Sequence, residues 1–260
     1  MNPSVRPSAL LDELGIEEPA EIDVEVIAQY CKATVVYESL KGCDARIVGK
    51  GDRAYISVEQ SAPRSRQRFS VAHELGHWMR DRGKLAAFAC ADRSFISEWR
   101  KDNPETRANR FAAELLLPTA LFEVDARGRE MTLTTASDLA DRYVTSLTAT
   151  AIRLVELGSF PAMLICSEAG RRKWFVRSRD VHQLWPVEEL QPGSVAHDLS
   201  KHTLRADAPA DVAADLWINH DEAGRYVVRE DSRRLGEFLL TLLWWKDERQ
   251  LADLLNAVED

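Results

Sequence analysis

The segment His73-Glu74-Leu75-Gly76-His77 places two histidines four residues apart, within a stretch whose apolar residues recur at helical spacing. Residues four apart lie on one face of a helix, about one turn from each other, so both imidazoles can reach one metal ion. Two ligands hold zinc weakly. The fold must therefore bring a third ligand from a separate element that packs against the helix over residues 65–80.

The residue between the two histidines also fits a metal site. Glu74 would lie beside the open coordination position, which makes it the candidate general base. Chance alone produces H-E-x-x-H in about one chain of this length in a hundred. The small Gly76 permits a neighbouring element to approach closely. The competing interpretation is that two histidines share a helix face without binding a metal.

Further helices and strands are predicted on either side of this helix. Residues 22–32 have the apolar spacing of a short helix. Residues 104–117 predict a second long helix, with Pro104 in its first turn and Pro118 ending it. A long loop is predicted between the two long helices, over residues 83–102. Three β-branched and aromatic segments predict a small antiparallel sheet: 34–37, 45–48 and 54–58.

The second long helix offers two candidates for the third ligand, Glu105 and Glu114. They are nine residues apart, so their side chains point about half a turn away from each other and only one of them can face the histidines. Spacing alone leaves both open. Asn109 shares a face with Glu105, where it can hydrogen-bond a ligand or substrate, or serve an ordinary contact between helices.

Two stretches together resemble a known family. They are Arg68-Phe-Ser-Val-Ala-His-Glu-Leu-Gly-His77 and Glu105-Thr-Arg-Ala-Asn-Arg-Phe-Ala-Ala-Glu-Leu-Leu-Leu-Pro118. They follow the pattern R-F-[ST]-x-A-H-E-x-x-H and then E-x-x-A-N-x-F-A-A-x-L-L-M-P of the ImmA/IrrE metallopeptidases, which are regulatory enzymes that cleave helix-turn-helix repressors. The resemblance covers residues 53–118, and Leu117 stands where the family usually has Met.

The resemblance implies a fold and a set of site residues. Glu105 opens the E-x-x-A-N motif and becomes the third metal ligand beside His73 and His77, with Glu74 as the general base. Glu114 falls on an open position of the motif and is interpreted as a solvated or interhelical carboxylate. The expected fold is α+β: a minizincin-like core of a small antiparallel sheet plus the HExxH helix, a helix-turn-helix-like middle, and a mixed α/β C-terminal domain.

The rest of the chain predicts two accessory regions. Residues 132–143 and 146–157 read as two helices joined by a short turn, and Arg153 is the only basic residue of the second. This charge disfavours direct DNA binding and favours a structural or substrate-docking role. Later segments predict further strands and a final helix, while 235–245 fits either a helix or a strand. The expected domains are 1–125, 126–159 and 160–260.

Composition excludes several classes of protein. Lys and Arg number 34 against 42 Asp and Glu, and the net charge of −8 argues against a chain that coats nucleic acid. The four cysteines are scattered with no C-x-x-C pair, so a disulfide framework or a cysteine zinc site is not expected. No apolar stretch has the length of a signal sequence or a membrane span. A soluble cytoplasmic protein is the expectation.

The predicted function is a zinc-dependent endopeptidase that cleaves a helix-turn-helix repressor and so switches on stress, DNA-damage or mobile-element genes. Because a His₂Glu set is not selective, Mn²⁺ or Fe²⁺ can replace Zn²⁺. The alternative is a non-proteolytic, zinc-stabilised regulatory or DNA-binding module that docks to a transcription regulator. The oxyanion-stabilising residue is left open among four candidates: Tyr55, Arg64, Arg66 and Tyr143. The remaining histidines are expected to bind no metal: His182, His197, His202 and His220.

Overall fold

The computed structural model describes residues 6–81, 88–90, 103–201 and 208–259. Within these ranges the chain forms nine α-helices and nine β-strands in two sheets, which confirms the α+β class. The chain divides into two compact units. The first comprises Met1–Phe122 with Ala140–Ser146, and the second comprises Glu123–Leu139 with Leu147–Asp260. None of the described helices is both long and apolar enough to cross a membrane.

The first unit combines helices with a four-stranded sheet. Its helices are α1 (Pro7–Glu13), α2 (Val24–Tyr30), α3 (Arg64–Asp81) and α4 (Pro104–Leu116), and its strands are β1 (Ala33–Glu38), β2 (Ala45–Lys50), β3 (Arg53–Glu59) and β4 (Phe88–Cys90). The strand β4 falls inside the predicted long loop, and the rest of that prediction, 83–87 and 91–102, lies outside the described residues.

The sheet of the first unit is mixed, with strand order β1-β3-β2-β4. Strand β2 pairs with β3 and β4 in antiparallel fashion, but β1 pairs with β3 in parallel, with Val35 opposite Ile56. The prediction of an antiparallel sheet is therefore wrong for this pair. Two successive chain reversals give β1 and β3 the same direction, and the spacing of strands along the sequence does not reveal which strands become neighbours.

Helix α3 packs on one face of this sheet. Along β3 every second residue is buried, and Ile56 and Val58 join Val71 and Leu75 of α3 in one apolar core. Trp78 extends this contact, because its indole nitrogen donates to the carbonyl oxygen of Cys31 at 2.9 Å. These contacts hold α3 firmly against the sheet.

The second unit contains a five-stranded antiparallel sheet of order β6-β5-β9-β8-β7. Its strands are β5 (Ala162–Glu168), β6 (Arg171–Arg177), β7 (Ala210–Ala213), β8 (Val227–Leu235) and β9 (Phe238–Trp244). Its helices are α7 (Leu147–Leu157), α8 (Val195–Ser200) and α9 (Glu248–Glu259), while α5 (Thr119–Ala126) and α6 (Leu133–Tyr143) have residues in both units. The ambiguous segment 235–245 is thus mostly strand, since β9 lies between two partners and is buried on both faces.

A buried carboxylate fixes helix α8 on this sheet. Glu230 of β8 is fully buried, and its two oxygens accept hydrogen bonds from the backbone N–H groups of Val195 and Ala196, the indole of Trp217 and the hydroxyl of Ser232, at 2.7–3.1 Å. Four donors replace the water that burial removes from the carboxylate. Glu230 is therefore a structural residue of the second unit.

Candidate metal centre

Helix α3 carries both histidines of the motif toward the protein interior. The side chains of His73 and His77 are buried, and the two Nε2 atoms lie 3.1 Å apart. Apolar residues that face the sheet anchor the helix. The other side of α3 is therefore held at a fixed distance from α4. The two imidazoles consequently present one nitrogen each to the same point.

Helix α4 supplies the third side chain from its first turn. Asn103 caps the helix, with its Oδ1 accepting from the backbone N–H of Glu105 at 3.0 Å, and Pro104 occupies the first helical position. A carboxylate in the first turn also interacts favourably with the helix dipole. The local sequence thus both starts the helix and places Glu105 at its end.

Gly76 allows the two helices to approach closely. A Cβ atom at this position would lie 3.0 Å from Cα of Ala108 and 3.1 Å from Cβ of Phe111, both on α4. Any larger residue would push α4 away from α3. The glycine between the two histidines therefore sets the distance across which Glu105 reaches them.

The three side chains meet with the spacing of metal ligands. Nε2 of His73 lies 3.2 Å from one carboxylate oxygen of Glu105, and Nε2 of His77 lies 3.3 Å from the other. Ligands bound tetrahedrally at about 2.0–2.1 Å lie about 3.3–3.4 Å from one another. The triad fits a divalent ion by both its spacing and its donor types, and it is the only group of this kind among the described residues.

The carboxylate of Glu105 is stabilised in its charged form. Hydrogen bonds from His73 and then His77 hold the pKa of Glu105 well below its ordinary value, although partial burial acts in the opposite direction. The group is therefore an anion at neutral pH. An anionic oxygen beside two imidazole nitrogens is a ligand set that suits zinc and other transition metals.

Asn109 determines which nitrogen of His73 faces the triad. Its side-chain oxygen lies 2.8 Å from Nδ1 of His73. An amide oxygen can only accept, so Nδ1 donates to it and Nε2 is the nitrogen that remains to face the triad. Glu105 and Asn109 stand one turn apart on α4, which lets one helix face supply both the carboxylate and the group that orients the histidine.

Glu74 lies next to His73 on α3, and its side chain is 0 % exposed. Removing a carboxylate from water is costly, so acidic side chains are seldom fully buried unless they have a specific role or partners. Glu74 follows the triad residue His73 directly in the sequence, and its role as general base remains a prediction.

The model of the IrrE N-terminal-like domain, Peptidase_M78, matches residues 28–155. These residues belong to the ImmA/IrrE metallopeptidase family. The matched range contains α3, α4 and all three side chains of the triad, and the resemblance inferred from the two motifs is confirmed.

Among solved structures, the chain is similar to one described as a Mycobacterium tuberculosis transcriptional regulator. The two share 14% sequence identity with a TM-score of 0.56, over 91% of this chain and 73% of the other. At this identity the likeness supports the fold, including the region that follows the ImmA/IrrE domain. No curated protein sequence gives a significant match.

Glu114, the other candidate ligand, lies outside the triad of the ImmA/IrrE domain. Its two carboxylate oxygens accept from the backbone N–H of Thr119 at 3.0 Å and from the hydroxyl of Thr119 at 2.9 Å. Glu114 thus joins the end of α4 to the start of α5, in agreement with the interhelical interpretation. Sequence reasoning missed this partner, because Pro118 predicts the end of α4 but not that α5 begins at Thr119.

The four candidates for stabilising an oxyanion contact residues other than those of the triad. Tyr55 is exposed on the face of β3 opposite the core residues that contact α3. The guanidinium of Arg64 pairs with Glu25 at 2.9 Å, and that of Arg66 pairs with Asp44. Tyr143 is buried, with its ring beside that of Phe122. None of these four side chains belongs to the group formed by the triad.

The other histidines that the structure describes form no second metal cluster. Nδ1 of His182 lies 2.9 Å from the carbonyl oxygen of Arg179, and His220 accepts from the backbone N–H of Glu222. His197 lies 3.5 Å from the adjacent Asp198. His202 falls outside the described residues.

Proposed function

We propose that this protein is a metal-dependent endopeptidase, with zinc as its ion, that cleaves a helix-turn-helix transcriptional repressor. The observation that carries the proposal is the convergence of His73, His77 and Glu105 at ligand spacing, and the buried Glu74 is next to His73 in the sequence. Membership of a metallopeptidase family supports the same chemistry. By cutting a repressor, the enzyme would switch on stress, DNA-damage or mobile-element genes.

Each residue of the site has a distinct role in this proposal. His73, His77 and Glu105 hold the ion, and Asn109 orients His73. A bound divalent ion supplies a Lewis acid that polarises the scissile carbonyl and favours ionisation of water. Glu74 accepts the proton of the attacking water and then donates it to the nitrogen of the leaving amine.

A protein substrate is favoured over direct contact with DNA. The charge of −8 gives no general attraction to phosphates. Arg153, the single basic residue of α7, is paired with Glu156 at 3.1 Å. The family acts on regulator proteins, and a similar structure is itself described as a transcriptional regulator. A repressor in the same cytoplasmic compartment is therefore the proposed partner, with 126–159 and 160–260 as accessory regions that select it.

The substitution Glu74→Gln tests the proposal. Purified chain, loaded with Zn²⁺, is incubated with the helix-turn-helix regulator encoded beside it, and fragments are detected by mass spectrometry. The wild type should cut the regulator at one site. The variant should bind the same amount of zinc and the same partner but lose cleavage by at least about a hundredfold, as is typical when a general base is removed.

The control is Glu114→Gln, which changes a carboxylate of similar size outside the triad and should leave cleavage unchanged. An intact regulator with fully loaded wild type under the inducing condition would contradict the peptidase proposal. If Glu74→Gln also regulates transcription as well as the wild type, the protein acts instead as a non-proteolytic docking module.

A further inference from the structure

The second unit exposes one large aromatic side chain at a rigid position. Trp185 is 58 % exposed, although its neighbours Leu184 and Pro186 are buried. The backbone around Trp185 is hydrogen-bonded. Its carbonyl oxygen accepts from the backbone N–H of Asn219 at 2.9 Å, and the N–H of Val187 donates to the carbonyl oxygen of Trp217 at 2.8 Å. The indole therefore projects from a backbone that hydrogen bonds hold in place.

Two arginines of strand β6 hold this loop in place. Arg177 donates to the carbonyl oxygen of Leu184, and Arg172 donates to that of Pro186. The guanidinium carbon of Arg177 also lies 4.5 Å from the centre of the Trp185 ring, and the rings of Phe175 and Trp185 form a T-shaped pair with their centroids 5.8 Å apart. Trp185, Phe175, Arg172 and Arg177 together form what we term the Trp185 patch.

The positive charge of the Trp185 patch is not neutralised locally. In the described part of the chain, no carboxylate lies within ion-pair distance of Arg172 or Arg177, whereas the flanking Arg171 and Lys173 pair with Glu189 and Glu168. Stacking leaves the in-plane N–H groups of a guanidinium available to an acceptor. The patch thus combines an exposed indole with two cations that lack an acidic partner.

We propose that the Trp185 patch docks an acidic segment of a partner protein, in which an aromatic or large aliphatic side chain is adjacent to Asp or Glu. The apolar side chain would pack on the indole, and the carboxylate would pair with Arg177 and Arg172. Trp and Arg are enriched among the residues that contribute most to the affinity of protein interfaces. Side chains that are already held in place lose little conformational entropy when they bind.

A nucleic-acid ligand fits these observations less well. Single-stranded nucleic acid needs a continuous basic track along its backbone. Here the cations that flank the two arginines on β6, Arg171 and Lys173, are already paired with Glu189 and Glu168, so they do not extend the patch into a continuous basic track. A peptide with one or two carboxylates needs only the two cations of the patch, so the local charge favours a protein segment.

Fluorescence anisotropy on the full chain tests the proposal with three labelled probes. The first is a short peptide of Glu, Asp and Gly with central Phe residues, the second has Lys in place of each acid, and the third is a short oligothymidylate. The acidic peptide should bind the wild type and the Lys peptide should not. Trp185→Ala should weaken acidic-peptide binding by at least about tenfold.

Two further variants separate docking from general damage to the fold. Phe238→Ala removes another exposed aromatic of the same unit and should leave binding unchanged. Arg177→Lys keeps the charge but loses the planar donors, and it should weaken binding without lowering the melting temperature by more than a few degrees. Equal binding of the acidic peptide to wild type and Trp185→Ala would overturn the proposal. Tighter binding of oligothymidylate, abolished by Trp185→Ala, would overturn it in favour of nucleic acid.

Discussion

The amide of Asn109 links the chemistry of His73 to the geometry of α4. Its oxygen accepts from Nδ1, which leaves Nε2 to face His77 and Glu105. Hydrogen bonds of this kind, from a residue that does not touch the metal, orient a histidine ligand and keep its ring from turning. We therefore expect Asn109 to affect metal affinity although it contributes no ligand.

We expect Asn109→Leu, which is similar in size but has no acceptor, to lower Zn²⁺ affinity by about 10–100-fold. Competition with a chromophoric chelator measures this affinity. Asn109→Asp keeps an acceptor at the same position and should retain more of the affinity than the Leu variant. Equal affinity of the wild type and Asn109→Leu would mean that the hydrogen bond to His73 has no part in metal binding.

A second residue, Glu25, makes stability depend on pH. Its carboxylate accepts hydrogen bonds from Tyr37 and from Arg64, the latter at 2.9 Å. Burial raises the pKa of Glu25, but the two hydrogen bonds outweigh it, and the pKa lies below its ordinary value. Burial, followed by the bond to Glu25, raises the pKa of Tyr37 to about 12, so its hydroxyl remains a donor at neutral pH.

Because the folded state holds Glu25 ionised more strongly than the unfolded chain does, the carboxylate stabilises the fold above its unfolded pKa of about 4.3. That stabilisation is lost as the pH falls through the lower folded pKa. Glu25→Gln should therefore reduce the free energy of unfolding at pH 7, and the difference from wild type should shrink in acid. Urea unfolding of the two proteins at pH 7 and at acid pH measures this difference. The exposed Glu17→Gln is the control, and a difference that persists unchanged in acid would contradict this account.

At the scale of elements, the contact between α3 and α4 determines the width of the site. Glycine at 76 is what permits the contact, since a Cβ there would meet the backbone of Ala108 at 3.0 Å. In an exposed helix, Gly→Ala stabilises by about 1 kcal/mol. Here the new methyl group must displace a backbone atom of the neighbouring helix, so the effect should have the opposite sign.

Gly76→Ala is expected to lower the free energy of unfolding by about 1–3 kcal/mol, the usual cost of overpacking. It should also weaken metal binding, because a shift of α4 moves Glu105 away from both histidines. Thermal unfolding without metal and a zinc titration check the two effects separately. A more stable variant with unchanged zinc affinity would show that the helices are not held at this distance by Gly76.

Across the whole molecule, the sequence predicts elements better than their arrangement. The helix predicted over 65–80 is Arg64–Asp81, and that over 104–117 is Pro104–Leu116, because long apolar periods and proline boundaries are local signals. The parallel pairing of β1 with β3 is not local, since it depends on β3 lying between β1 and β2. The strand over 238–244 matches a helical period equally well, and its two partner strands decide its structure.

In the candidate site too, the sequence predicts the individual residues better than their arrangement in space. The spacing of His73 and His77 predicts that they share a helix face, and the structure places their nitrogens together. Spacing also shows that Glu105 and Glu114 face apart but not which of them faces the histidines. The family motif indicates Glu105, and the structure places Glu105 at both histidines. The tryptophans of the second unit illustrate the limit: Trp217, Trp244 and Trp245 are buried while Trp185 is exposed, and composition cannot separate them.

The most direct test of the proposed metal centre compares two glutamates of one helix. Zinc stoichiometry is measured by titration and elemental analysis for the wild type, Glu105→Gln and Glu114→Gln. We predict one ion per chain for the wild type and Glu114→Gln, and an affinity at least about tenfold lower for Glu105→Gln, because only Glu105 joins His73 and His77. Tight binding that survives Glu105→Gln, or is lost with Glu114→Gln instead, would contradict the metal centre described above.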